Sequence, residues 1–402
     1  MRLRERSPTV VRLIAARGSR SIGQGALVAA FALYLHVLGW SAPSIGATLS
    51  AALVAGAALT LAVGPASDRL GYRRFLLAYE ALQAAAALAA LVSAWPPVLG
   101  VAAIIGGFGR GANGSAGPFG PLEQAWLAHA VPPHRRGAVF SANAAIGFGG
   151  MALGALLAGG TALLVGAFGE VLAYRPLFAL SFAGSVAAFV LIHGLREPPR
   201  EPHVPPAERL PVRRAENALL MRLVIANTVN GLGIGMIAPL IAYWFALRFR
   251  HGPGSIGPAL AASFVFGAAG AFVAGRMVRR YGLIGPVVVM RGVGLVLLVA
   301  LPLVLSFPLA AALYALRSGF NQGTAGVRQA LVVGLAPGRR GLAVSLQNVS
   351  IQIPRAVGPL VAAYMLNAGM LRAPFFAAAA LQAAYLLLYA RFFREHAAAS
   401  RR

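Results

Sequence analysis

Ser44 to Gly71 reads SIGATLSAALVAGAALTLAVGPASDRLG, and Ser255 to Gly282 reads SIGPALAASFVFGAAGAFVAGRMVRRYG. Offset by 211 residues, the two agree at twelve of 28 positions, among them Ser44/Ser255, Ile45/Ile256, Gly46/Gly257, Leu49/Leu260, Gly56/Gly267, Gly64/Gly275, Arg69/Arg280 and Gly71/Gly282. In a chain this rich in Ala, Gly and Leu, chance supplies roughly three such matches. Each segment is an apolar run closed by arginines and a glycine, and roughly 20 apolar residues of helix cross the hydrocarbon core. An offset of 204 to 205 residues pairs Glu123-Gln124-Ala125 with Arg328-Gln329-Ala330, Arg135-Arg136-Gly137 with Arg339-Arg340-Gly341, and Gly154 with Gly358. The chain is therefore a duplication in which helices 1 to 6 repeat as helices 7 to 12.

The rest of the sequence extends that pattern. With 58% hydrophobic and 11% charged residues over 402 positions, the chain cannot present a water-solvated surface. Continuous apolar runs mark helices, whereas a barrel would alternate. The expected fold is an all-α membrane protein, twelve transmembrane helices in two pseudo-symmetric six-helix bundles. Spans are placed at 13–38, 44–64, 75–95, 98–127, 138–160, 175–195, 219–247, 256–275, 284–305, 308–333, 342–366 and 374–394. The first apolar run follows an arginine-rich tail but is read as an uncleaved span. Residues 196–218 hold six prolines and several acids, a solvated linker between bundles 1–195 and 219–402. With an even number of spans, only Arg175, Arg248, Arg250 and Arg372 fall in the loops opposite the termini, so the arginine-rich side, both termini included, is expected to be cytoplasmic in a bacterial-type inner membrane. The net charge of +25 belongs to these short loops, so the expected surroundings are lipid bilayer and not nucleic acid. The absence of cysteine excludes disulfides and thiolate chemistry.

The turn between spans two and three reads Gly64-Pro65-Ala66-Ser67-Asp68-Arg69-Leu70-Gly71-Tyr72-Arg73-Arg74. It resembles the signature loop of the major facilitator superfamily, Gly-x-x-x-Asp-Arg-x-Gly-Arg-Arg/Lys, departing at Tyr72. Gly64 permits close helix approach, Gly71 suits positive φ, and Asp68, Arg69, Arg73 and Arg74 supply charges for a gate. Arg110-Gly111-Ala112-Asn113-Gly114-Ser115-Ala116 is similar to that family's helix-four pattern, with Asn113 where glutamine is usual. Gly150 to Gly159 is similar to its antiporter-associated helix-five pattern, with alanine replacing the proline and one glycine. The resemblance covers the whole chain. It implies a secondary active transporter moving a small solute by alternating access between the two halves, a proton-coupled exporter of the drug or solute efflux branch, and a monomer.

Arg110, Arg317 and Arg355 fall near mid-span, where a charge costs about 2.5–3.5 kcal/mol on insertion scales. Ser345, Asn348, Gln352 and Arg355 share one helix stripe, and Arg317, Asn321, Thr324 and Arg328 another. Arg110, Asn113, Arg317, Asn321, Gln352 and Arg355 are therefore the candidate substrate contacts, and they suit an anionic, zwitterionic or neutral substrate. Interhelical hydrogen-bond glue is the alternative role for the amides. In the repeat, Asp68 matches Arg279, Glu80 matches Arg291 and Glu123 matches Arg328. Those matches suggest ion pairs between halves at a gate that also includes Arg280. Glu80 and Glu123 are the proton-coupling candidates; the alternative is that each acid pairs with arginines of its own half. Import of an anionic solute by proton symport is the second transport reading, and a sensor the non-transport one. No clustered nucleophile, carboxylate pair, histidine pair or phosphate-binding glycine loop is present, so no catalytic residue, metal or cofactor is expected.

Overall fold

The computed structural model describes residues 7–110, 120–132, 136–196, 214–335 and 340–399, with backbone alone at 63–70, 121, 136–138, 214–216, 279, 333–335, 340–345 and 394–399. Its elements are α1 (Pro8–Val37), α2 (Ala42–Leu70), α3 (Tyr72–Val92), α4 (Pro96–Gly106), α5 (Gly120–His129), α6 (Arg136–Gly159), α7 (Thr161–Ala173) and α8 (Arg175–His193), followed by α9 (Arg214–Ile237), α10 (Ile241–Phe249), α11 (Pro253–Tyr281), α12 (Ile284–Ala300), α13 (Phe307–Gly323), α14 (Ala325–Leu335), α15 (Arg340–Asn367) and α16 (Ala373–Ala399). Among the described residues, nine helices are long and apolar enough to cross a membrane. The three remaining expected spans fall on α1, which carries Arg12, Arg17 and Arg20, and on the helix pairs α4/α5 and α13/α14. Large apolar side chains such as Val190 and Val296 are exposed, as lipid solvent requires.

Three expected spans are not continuous helices. Span four stops at Gly106, because Gly107 turns left-handed at φ 63 and Gly109 follows at φ 69. Span seven breaks between α9 and α10, where Pro239 supplies no backbone donor. Span ten breaks at Thr324, which separates α13 from α14. Helix α7 lies between the expected spans five and six. It leaves Leu163, Phe168 and Leu172 exposed, a pattern suited to the bilayer interface.

Two compact units are distinguished: Met1–Pro198 with Ala238–Val265, and Pro199–Ile237 with Phe266–Arg402. In unit 1, α1 packs on α6 and α8, and α3 on α4 and α8; in unit 2, α9 packs on α15 and α16, and α12 on α13 and α16. These are the same helix pairings one repeat apart. Close approach depends on glycine at matched places. A methyl on Gly154 of α6 would run into the carbonyl of Ile22 on α1, and one on Gly358 of α15 into the backbone of Gly235 on α9. The apolar clusters match too. Leu13, Tyr79, Trp126 and Ile192 fill unit 1 from α1, α3, α5 and α8. Leu223, Met290, Leu331 and Tyr389 fill unit 2 from α9, α12, α14 and α16.

Residues 238–265, assigned from sequence to the second bundle, pack within unit 1. Tyr243 of α10 meets the His36 ring of α1 edge-on at 5.2 Å, and Gly257 of α11 lies against the end of α6 at Ala155 and Gly159. Most of the expected linker, residues 197–213, lies outside the described residues.

Candidate functional site

Unit 1 contains a buried ion cluster that starts from Arg20, about 18 Å along α1 from Pro8 at 1.5 Å per residue. Its guanidinium forks between two helices: Nη1 donates to Glu80 Oε1 on α3, and Nη2 donates to Glu123 Oε2 on α5 at 2.7 Å. Arg20, Glu80 and Glu123 are exposed by only 3%, 0% and 3%, so lipid and water are both excluded from the pairing. Arg17, one turn earlier on α1 and also buried, is within electrostatic reach of both carboxylates. Two cations thus face two anions, which is what allows four charges to be buried. The second oxygens, Glu80 Oε2 and Glu123 Oε1, are buried without a hydrogen-bond partner among the described residues.

Beside this cluster, Arg110 hydrogen-bonds Tyr79, one residue before Glu80. Its guanidinium lies where a side chain on Gly107 would stand and packs on Gly56 of α2. Gln83 donates to Tyr79 Oη at 2.5 Å and to the Gly106 carbonyl at 2.9 Å, which ties the end of α4 to α3. The left-handed turn at Gly107 therefore opens the space that Arg110 fills.

Unit 2 uses the equivalent helices with the charges rearranged. Gly233 and Gly235 of α9 match Gly23 and Gly25 of α1, which places Asn230 where Arg20 stands, and Arg291 of α12 matches Glu80. Arg291 Nη1 donates to Asn230 Oδ1 at 2.6 Å, its Nε reaches Thr324 Oγ1 at 3.4 Å, and its cation lies 4.9 Å from the centre of the Tyr385 ring. Arg317 is buried on α13, with its Nε making no hydrogen bond among the described residues. Arg355 is buried on α15 and reaches Gln352 Oε1 at 3.4 Å. Asn321 is half-buried against Gly294 of α12.

The turn after α2 follows the expectation at Gly71, whose φ is 92. Arg73 Nη2 donates to the His193 carbonyl at 2.6 Å and Arg12 Nη1 to the Gly194 carbonyl at 2.8 Å, so two cations hold the C-terminal end of α8. Arg74 is exposed. Tyr72 stacks on His129 at 6.1 Å, and Arg280 lies over the Tyr281 ring. Asn113 lies outside the described residues, as do the side chains of Gly64, Asp68, Arg69 and Arg279. In each unit the expected gate charges Glu80, Glu123 and Arg291 have partners of their own, and Arg328 is half-buried. Sequence reasoning missed Arg17 and Arg20, reading them as part of the basic tail; two arginines one turn apart inside an apolar helix were the available signal. Tyr79, Gln83 and Asn230 carried no such signal.

The sequence profile of the Major Facilitator Superfamily matches residues 13–226 and again 223–402. The chain belongs to the major facilitator superfamily. As a member it is a secondary transporter of a small molecule working by alternating access, and not an enzyme. None of the curated proteins matches it in sequence. Among solved structures, it is similar to a bacterial homologue of the human lysosomal transporter Spinster, inward-facing and unoccupied (TM-score 0.73, 14% identity, 96% of this chain and 97% of that one). It is also similar to the inward-open xylose transporter XylE from E. coli (TM-score 0.73, 14% identity, 96% of both chains). A bacterial homologue of the iron transporter ferroportin, inward-facing, aligns at TM-score 0.72 with 15% identity over 98% of this chain and 99% of that one. At these identities the likeness is one of fold.

Proposed function

We propose that this member of the superfamily exports a small solute in exchange for protons. The observation that carries the reading is the Arg20–Glu80–Glu123 cluster: two carboxylates share one guanidinium in a dry site, each with one oxygen unpaired. A carboxylate that loses its cation in such surroundings takes up a proton more readily than it stays charged. Any shift of α1 against α3 or α5 that releases Arg20 would therefore load a proton, which is the exchange a proton-driven carrier needs. The export direction rests on the helix-five pattern Gly150 to Gly159. In this chain Gly150 and Gly154 also serve packing, lying against Ser21 and Ile22 of α1.

The proposed carrier is a monomer in a bacterial-type inner membrane, both termini cytoplasmic, with 1–195 and 219–402 as the halves that move. Arg110, Asn113, Arg317, Asn321, Gln352 and Arg355 are proposed to contact the solute. Import by proton symport is the second reading, favoured by the buried arginines of unit 2, which suit an anionic solute. Purified protein in liposomes with an internal pH dye separates the two. Export coupling predicts that solute and protons cross in opposite directions under gradients of either sign, and import coupling predicts that they cross together. Solute flux indifferent to the pH gradient, or unchanged coupling in Glu80→Gln and Glu123→Gln, would refute proton exchange at this cluster.

A further inference from the structure

Between Glu216 and Glu395 the chain contains no Asp or Glu, yet unit 2 buries Arg291, Arg317 and Arg355, exposed by 4%, 7% and 3%. In unit 1, by contrast, Arg17 and Arg20 are matched by Glu80 and Glu123. Arginine cannot escape burial by losing its proton as lysine can, so each of these cations needs a partner. Arg291 has a polar and aromatic set of its own in Asn230, Thr324 and Tyr385. Arg317 makes no hydrogen bond to any described residue, and its Nε is buried and unpartnered.

The second observation is where Arg317 lies and what lies near it. It sits about 15 Å along α13 from Phe307, and Arg355 about 18 Å from Asn367 on α15, at about 1.5 Å per residue, so both are near mid-depth. Tyr314, buried one turn before Arg317, is within electrostatic reach of both Arg317 and Arg355. We infer that Arg317 and Arg355 form an anion subsite in unit 2 and that the transported solute carries a carboxylate or phosphate group that binds there. This rests on the reading of the chain as a transporter whose solute these arginines contact. A planar guanidinium matches both oxyanions with paired hydrogen bonds, and residues 217–394, which include both arginines, supply no Asp or Glu to compete.

The test uses the full chain, purified and delipidated in detergent, with thermal unfolding read at constant ionic strength and chloride as the reference. Benzoate, succinate and inorganic phosphate are titrated separately, and phosphatidylglycerol is compared with phosphatidylcholine in a parallel arm. A saturable rise in Tm is expected with at least one soluble probe, half-saturating at least about tenfold higher in Arg317→Gln and partly restored in Arg317→Lys. Ligand-free Arg317→Gln is expected to melt no lower than the parent, because it loses an uncompensated buried charge. The proposal is overturned if no soluble probe shifts Tm, if the shift survives Arg317→Gln, if only phosphatidylglycerol produces it, or if Arg317→Gln fails to fold and so shows the arginine to be structural. Counterflow of the radiolabelled probe in liposomes separates this result from the transporter reading. Arg317-dependent binding without counterflow keeps the subsite and refutes transport of that anion. Counterflow of an uncharged solute untouched by Arg317→Gln does the reverse.

Discussion

Replacing Arg20 by methionine would leave Glu80 and Glu123 buried with Arg17 as the remaining cation of the cluster among the described residues, two anions against one cation. Removing one partner of a buried ion pair costs about 3–5 kcal/mol, most of it the penalty of the charge left behind. Glu80→Met strands Arg20 less severely, because Glu123 still accepts from it at 2.7 Å, and about 2–4 kcal/mol is expected. Combining the two substitutions returns the site to one cation and one anion, Arg17 with Glu123. The double variant should therefore lose at least about 2 kcal/mol less than the sum of the singles, since neighbours in one ionic network do not add. Equilibrium unfolding of the full chain in mixed detergent micelles, followed by tryptophan fluorescence, measures all four corners of the cycle. Strictly additive losses, or an Arg20→Met variant that unfolds at the parent's midpoint, would refute the claim that this cluster ties α1 to α3 and α5.

Three further outcomes test other contacts. Gly154→Leu drives a side chain into the Ile22 carbonyl on α1, and because backbone cannot yield as a side chain can, a loss of about 3 kcal/mol or more is expected; an unchanged melting profile would show that the helices separate freely. Arg73→Ala removes the donor on the His193 carbonyl at the end of α8, which should cost about 0.3–1 kcal/mol and speed hydrogen exchange at Gly194 and Leu195, while equal exchange there would mean the contact contributes nothing. Since the parent lacks cysteine, Ser41→Cys, exposed at the start of α2, should react with an impermeant thiol reagent added to intact cells and Ser67→Cys should not; the reverse pattern would invert the proposed orientation.

Burial of apolar surface is a local property of the chain, and for that reason the spans, the repeat and the turn at Gly71 could be read from the residues alone. The 204-residue offset pairs Gly154 with Gly358, and in the structure both stand at the same kind of helix contact, α6 on α1 and α15 on α9. Partner choice is different, because it depends on which way a helix is turned and which neighbour lies across from it. From sequence, Glu80 and Glu123 were set against Arg291 and Arg328 by pseudo-symmetry; only the packing of α1 against α3 and α5 brings Arg20 between the two acids. The same holds for Arg291, whose host is an amide on α9, a hydroxyl after α13 and a ring on α16, three separate stretches of chain that no local pattern connects. Helix interruptions fall between these cases. Gly107 and Pro239 were visible as residues, but a glycine or proline in a transmembrane helix is often tolerated when neighbours satisfy the backbone. Whether the helix stops there was decided by what moves into the gap, and at Gly107 that is the Arg110 guanidinium.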